Sequence, residues 1–276
     1  GVAVDESGNV FVAGSFNDSV DFGGGTVASS GQDDAFVASY TSDGAFRWAR
    51  RLGGGGRDFA EGIAARRGRV AVVGEFENVV SFGDAARTSA GAGDIFVALL
   101  DDTGTTAWSR AWGSAEREYA SGVALDDLGR VSWTGHFTGS VDFGGGSLDA
   151  GSEKHPVVGS LDPDGAFFRA RSYPTQAGEG LAAAALPTGG TAFAGWWYGT
   201  VALDGTTVTG TGGREGFLTR YDADGASPWA TTLSSANWEQ TFGVCLDPSG
   251  NVAVTGQLGG EVTPEGAGAS IAGPIF

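Results

Sequence analysis

The feature that most constrains this chain is a line that returns about every sixty residues. It reads "GVAVDESGNVFVAGSF" from Gly1, "GIAARRGRVAVVGEF" from Gly62, "GVALDDLGRVSWTGHF" from Gly122, "GLAAAALPTGGTAFAGWW" from Gly180 and "GVCLDPSGNVAVTGQL" from Gly243, a spacing of 58 to 63 residues. Such a period in a β-rich chain means one small sheet per repeat, either propeller blades or another β array. The 50 glycines, 8 prolines and absence of methionine agree with many short strands joined by tight turns, and helix is not expected.

Each repeat divides into four strands by period-two alternation and turn chemistry. Strand A is "GVAVD" and strand B "NVFVAG". Strand C is "DAFVASY", "DIFVALL", "HPVVGSL" or "EGFLTRY", and strand D is "FRWAR", "TAWSR", "FFRAR" or "SPWAT". The turns before strand D, "SDG", "DTG", "PDG" and "ADG", supply the positive-φ glycine that such hairpins need. The expected fold is therefore all-β: a β-propeller fragment of four-stranded antiparallel blades. It forms one domain over residues 1–276, with repeats 1–61, 62–121, 122–179 and 180–242 and an incomplete repeat 243–276. "AGPIF" at 272–276 lies in register with "AGDIF" at 92–96, which puts Phe276 inside a strand C and reads as a piece of a longer protein.

The pattern "GVAVDxxGNVxVxGSF…VDFGG…DAFVAxYxxDGxxxWA" resembles the bacterial β-propeller repeats called SBBP repeats over essentially the whole chain. The fourth repeat departs furthest: "GLAAAALPTGG" lacks the Asp after strand A, and "VALDG" replaces "VDFGG". The resemblance implies an exported or cell-surface protein, with a periplasmic place also open, and brings no assigned activity. "TSDGAFRW" at 41–48 is similar to the Asp box of sialidases and "LDDTGTTAWSR" at 100–110 to the tryptophan line of quinoprotein propellers. Both mark hairpin and Trp packing in those families rather than chemistry.

Charge narrows the partners. Sixteen Lys and Arg against 33 Asp and Glu leave a formal net charge of -17, which repels polyphosphate and anionic lipid at long range and argues against nucleic acid as a partner. A single cysteine allows no internal disulfide and no multi-cysteine metal site. No apolar run reaches the roughly 18 residues that suggest a membrane-spanning helix, so membrane insertion is not expected within this stretch.

"VDFGGG" at 20–25 and 141–146 looks at first like a phosphate cradle, with "VSFGDA" at 80–85 between the copies. A phosphate loop feeds a helix N-terminus, and none follows here. The line reads as structural, with Phe22, Phe82 and Phe143 anchoring the connection between strands B and C.

In a meander, the B-to-C and D-to-A connections share one end, and these long loops are where binding is expected. The residue after the strand-B glycine is Ser15, Glu75, His136, Trp196 and Gln257 in turn, and its neighbour is Phe16, Phe76, Phe137, Trp197 and Leu258. Trp197 thus follows a core line. Trp196 and Tyr198 depart from it and could stack on a sugar or a peptide side chain, or pack between repeats. Trp196, Trp197, Tyr198, His136 and Glu75 form the candidate ligand-binding set.

The D-to-A connections carry Asp58, Glu61, Glu116, Glu118, Glu179 and Glu239. Of these, Asp58, Glu61, Glu118, Glu179 and Glu239 could ring a channel mouth and hold calcium, or could be solvated loop charge. "DPDG" at 162–165 and "DADG" at 222–225 lack the further ligands of a calcium loop and read as turns.

No catalytic residue is assigned: His136 and His155 have no neighbours resembling a zinc site or a catalytic triad. Cys245 stands where other repeats have Ala and reads as a small buried side chain. The function expected is a non-enzymatic scaffold that binds a protein or a glycan through its loop face. The alternatives are a structural spacer, or the support of a hydrolase or quinoprotein whose catalytic residues lie elsewhere.

Overall fold

The computed structural model describes residues 1–257 apart from 204, 228 and 236, together with residue 259 and the backbone of 263–265. All its regular structure among the described residues is β. The first repeat holds β1 (Val2–Val4), β2 (Val10–Phe16), β3 (Ser19–Asp21), β4 (Thr26–Ala28), β5 (Asp34–Tyr40) and β6 (Phe46–Gly54). The second holds β7 (Asp58–Arg66), β8 (Arg69–Phe76), β9 (Val79–Ser81), β10 (Ala86–Thr88), β11 (Asp94–Asp101) and β12 (Thr106–Trp112). Next come β13 (Tyr119–Leu125), β14 (Val131–Asp142), β15 (Ser147–Leu161) and β16 (Phe167–Ser172). The fourth repeat has β17 (Ala177–Ala185), β18 (Thr191–Tyr198), β19 (Thr200–Leu203), β20 (Thr206–Thr209), β21 (Glu215–Tyr221) and β22 (Trp229–Ser234), and the fifth β23 (Gln240–Leu246), β24 (Val252–Gln257) and β25 (Thr263–Glu265).

Pairing follows the expected order. β1-β2-β5-β6, β7-β8-β11-β12, β13-β14-β15-β16 and β17-β18-β21-β22 are antiparallel meanders, and β23-β24 begins another. Their turns are built locally. Asp101 closes one by accepting hydrogen bonds at 2.9 Å from the backbone N–H groups of Thr103 and Thr105, and Gly44, Gly104, Gly165 and Gly225 all lie at φ between 79° and 87°. "DPDG" and "DADG" are turns of this kind, in which the Gly165 and Gly225 N–H groups donate to the carbonyls of Asp162 and Asp222.

The "VDFGGG" line does more than anchor a connection. It forms a small hairpin, β3-β4, whose turn is closed by the Asp21 carboxylate accepting from the N–H groups of Gly23 and Gly25, and Asp142 does the same for Gly144 and Gly146. Phe82 and Phe143 are buried, Phe22 stacks on Phe36 with ring centroids 4.5 Å apart, and Leu203 fills this place in the fourth repeat. The hairpin also reaches backwards. β9 pairs with the end of β6 and β25 with β22, so in the second and fifth repeats this line extends the outer strand of the repeat before it.

Successive sheets pack face to face. Val70 and Val72 point into a core shared with Phe11, Val37 and Trp48 of the first sheet, whereas Ala71 and Val73 face Val123, Val131 and Trp133 of the third. A strand buried on both faces reads as a continuous apolar run, which is how "VAVV" at 70–73 is written. The first strands of neighbouring sheets approach so closely that a Cβ on Gly62 would lie 2.7 Å from the Ser121 carbonyl oxygen.

The fourth repeat corrects the alignment taken from sequence. A one-residue bulge in the pairing of first and second strands falls at Glu61, Ser121 and Phe242, but at Leu181 in the fourth repeat. Ala182, not Gly180, therefore stands where Gly62, Gly122 and Gly243 stand, and the structural period is steadier than the sequence suggests. The third repeat departs in another way. Its second and third strands run on into their hairpin as the long strands β14 and β15. Elsewhere the loop before the third strand is closed by a carboxylate accepting from the N–H four residues back, as Asp34 does from Ser30 at 2.7 Å; His155 stands there instead and the chain runs on as strand.

Cys245 is exposed rather than buried, because no further sheet among the described residues covers that face of β23. The segment 272–276 and Leu258 lie outside the described residues.

Candidate functional site

The loop end of each sheet is set by four fixed registers. The residue after the second-strand glycine is Ser15, Glu75, His136, Trp196 and Gln257. Its cross-strand partner is Phe59 for Glu75, Tyr119 for His136, Glu179 for Trp196 and Gln240 for Gln257. Parallel bridges join Asp33 to Arg57, Gly93 to Arg117 and Lys154 to Ala177, fixing the other two registers, and the Glu239 N–H donates to the Arg214 carbonyl in the same way. Asp33, Gly93, Lys154 and Arg214 are thus equivalent, as are Arg57, Arg117, Ala177 and Trp238.

Around this frame the side chains differ in every repeat. Glu75, almost fully buried, takes both ends of the Arg117 guanidinium: Nε donates to Oε2 at 2.7 Å and Nη2 donates to Oε1. Such two-point pairing is strong and directional, and it holds the Arg117 guanidinium above its usual pKa. His136 stacks on Tyr119 with ring centroids 5.7 Å apart, and its Nδ1 lies 3.7 Å from Glu179, ion-pair distance when the imidazole is protonated. Burial pushes the Glu179 carboxyl up, but the adjoining His136, the Lys154 charge and the Trp196 indole outweigh it and leave it below the usual range. Tyr119 is driven the other way, by burial first and then by the charge and hydrogen bond of Glu61.

Trp196 is only 7% exposed because the Arg214 guanidinium covers it, 3.9 Å from the ring centroid. Arg214 also lies 4.9 Å from the Trp238 ring, and Trp238 is 44% exposed. The result is an indole, guanidinium, indole stack whose outer ring meets solvent.

The ligand-binding candidates therefore divide. Trp197 is wholly buried with Phe193 and Phe217 and belongs to the core, whereas Tyr198 is 46% exposed at the end of β18. Trp196, His136 and Glu75 sit at the loop face but are themselves buried. The groups that meet solvent over Glu75 and Trp196 are Arg117 and Trp238. Arg117, Tyr119, Arg214 and Trp238 were not foreseen; the signal for Trp238 is that it stands in the D-to-A loop where two earlier repeats have arginine.

The acidic positions are rearranged as well. Asp58, Glu118 and Glu239 are fully buried and do not ring a mouth. Each closes its own loop by accepting from the N–H four residues back, of Gly54 and Ser114 at 2.7 Å and of Ser235 at 2.9 Å. Each lies close to the carboxylate that opens the third strand of the preceding sheet: Asp58 beside Asp34, Glu118 beside Asp94, Glu239 beside Glu215. Burial, reinforced by the neighbouring charge, pushes Asp58 up to about 7 and raises Glu118 and Glu215. Between the third and fourth sheets both members are replaced, by His155 and Gly178. Glu179 occupies the register of Phe59 and Tyr119, and Glu61 is the bulge residue, so the five proposed calcium ligands belong to three different places. Among the described residues no group of three or more His, Cys, Asp or Glu is placed to hold a metal, and no helix is long and apolar enough to cross a membrane.

No family model and no curated protein matches the chain.

Proposed function

We propose that this chain is part of a β-propeller of the SBBP-repeat kind, a non-enzymatic exported or cell-surface scaffold that binds a protein or glycan through its loop face. The observation that carries the reading is the contrast between a repeated frame and an unrepeated face. Turns, core lines and loop-closing carboxylates recur, while the four registers at the loop end change chemistry from repeat to repeat and end in the stack of Trp196, Arg214 and Trp238 with its outer ring in solvent. Frame residues kept for stability have no need to vary in this way, whereas loops on a rigid scaffold are the usual place for recognition. Stacked sheets that bury apolar faces against their neighbours, each offset by one repeat, are the arrangement a propeller requires. Exposed aromatics supply contact area at small entropic cost, which is why Trp and Tyr dominate binding hot spots.

The test is a glycan array and a protein-fragment array probed with the chain and with Trp238→Ala and Tyr198→Ala. The expected result is at least one ligand whose binding falls about tenfold or more in Trp238→Ala, a loss of about 1.4 kcal/mol. Flat arrays would favour the spacer, and ligands indifferent to both substitutions would place binding away from the Trp238 stack.

A further inference from the structure

A groove of about 480 Å³ opens on the loop face where the first two repeats meet, lined by Asp33, Arg57, Phe59, Glu77, Ala92 and Arg117. Its size lies within the roughly 300–1,000 Å³ usual for small-molecule sites. We infer that this groove is a subsite for an uncharged sugar residue, with Phe59 as the stacking floor; this rests on the loop-face reading above and deepens it.

Three features select that class of ligand. First, Phe59, partly exposed on β7 beside its cross-strand partner Glu75, lines the groove, so apolar surface is offered within a polar groove. The C–H face of a sugar ring matches such a surface. Second, the groove holds donors and acceptors that the fold leaves unused. Arg57 spends Nε on Gln32 at 3.1 Å, and among the described residues no hydrogen bond or salt bridge engages its terminal nitrogens or the carboxylates of Asp33 and Glu77. Arg117, by contrast, is fixed on Glu75 and serves as a wall. Vicinal hydroxyls donate and accept at once, which suits a groove lined by a guanidinium and two carboxylates. Third, the lining is balanced in charge although the chain carries -17. A bare anion would meet Asp33 and Glu77 as well as the long-range field of the chain, and a bare cation would meet Arg57 and Arg117. A neutral ligand meets neither penalty.

The experiment uses the whole chain with an array of neutral oligosaccharides, trigalacturonate and trilysine as charged controls, and saturation-transfer NMR to locate the bound ring. A neutral glycan is expected to bind, with affinity reduced about tenfold in Phe59→Ala and about threefold in Arg57→Ala, while Trp238→Ala stays within about twofold. Arg57 is exposed, so its variant tests the groove even if Phe59→Ala fails to fold. The proposal is overturned if no neutral glycan binds, if only trilysine or trigalacturonate binds, or if both groove variants bind like the parent. Binding lost in Trp238→Ala but kept in Phe59→Ala and Arg57→Ala would overturn the groove and leave the loop-face reading standing.

Discussion

Asp58 shows how far a single side chain can leave its expected role. It reads in sequence as one of a ring of exposed acids, but in the structure it is buried beside Asp34 and closes its own loop through the Gly54 N–H. Its carboxyl is pushed up to about 7 by burial, and then by the charges of Asp34 and Glu77. The folded state therefore holds the proton more tightly than the unfolded chain, where the pKa is near 3.8. Its contribution to stability is full below about 4 and is lost as pH rises through about 7. Asp58→Asn, which keeps an acceptor for Gly54 without the charge, is expected to raise stability at pH 8 on the order of 2–4 kcal/mol and to change little at pH 4. Denaturant melts at the two pH values check this, and an equal gain at both would show that ionisation is not the cause. The acid was visible in the sequence, but its burial and its neighbour were not. Asp34 opens a strand of the first sheet and Asp58 a strand of the second, and only the meeting of the two sheets brings them together.

Between elements, the strongest repeated device is a grip by the outer strand of one sheet on a turn of the next. The Trp48 indole donates to the Asp102 carbonyl at 2.6 Å and Arg50 Nε to the Gly104 carbonyl at 3.0 Å; Trp108 and Arg110 make the same bonds to Pro163 and Gly165. In the third repeat Arg169 stands in the tryptophan's place. It bonds to Ser160 Oγ and Thr191 Oγ1 and lies 4.0 Å from the Tyr221 ring centroid, and burial brings its pKa down to about 10. Trp108→Ala removes a 7% exposed ring from the core between the second and third sheets together with its bond to Pro163, and is expected to cost about 3–5 kcal/mol in equilibrium unfolding. A loss below about 1 kcal/mol would mean that the grip is dispensable. The tryptophan line itself was legible as a packing motif. The turn it holds was not, because the contact spans more than fifty residues.

At the scale of the whole molecule, the outer sheets leave apolar side chains in water: Val2 and Val4 on β1 are 67% and 58% exposed, and Phe242 on β23 is 53% exposed. The equivalents of Val2 and Val4 in the third repeat, Val123 and Leu125, are covered by the neighbouring sheet. The chain on its own is therefore expected to bind a hydrophobic dye and to associate with rising concentration, and Val2→Lys with Phe242→Lys is expected to reduce both. Sedimentation velocity across a concentration series decides it: a monomer at every concentration, without dye binding, would contradict this view of the outer faces.

The strands and turns follow from sequence alone because their causes are local. Alternating apolar residues define a strand two residues at a time, and an Asp followed by a glycine at positive φ closes a turn within five residues. What needed the tertiary structure was everything that depends on distant residues meeting. The slipped register of the fourth repeat is set by where β17 bulges against β18, and no single residue announces it. The "VSFGDA" hairpin of the second repeat gains its structural meaning from the preceding repeat's outer strand. Trp196 is buried because Arg214 covers it and Trp238 backs Arg214 from another loop. Local preference fixed the parts and their order; long-range packing decided which side chains meet water and thus which can meet a ligand.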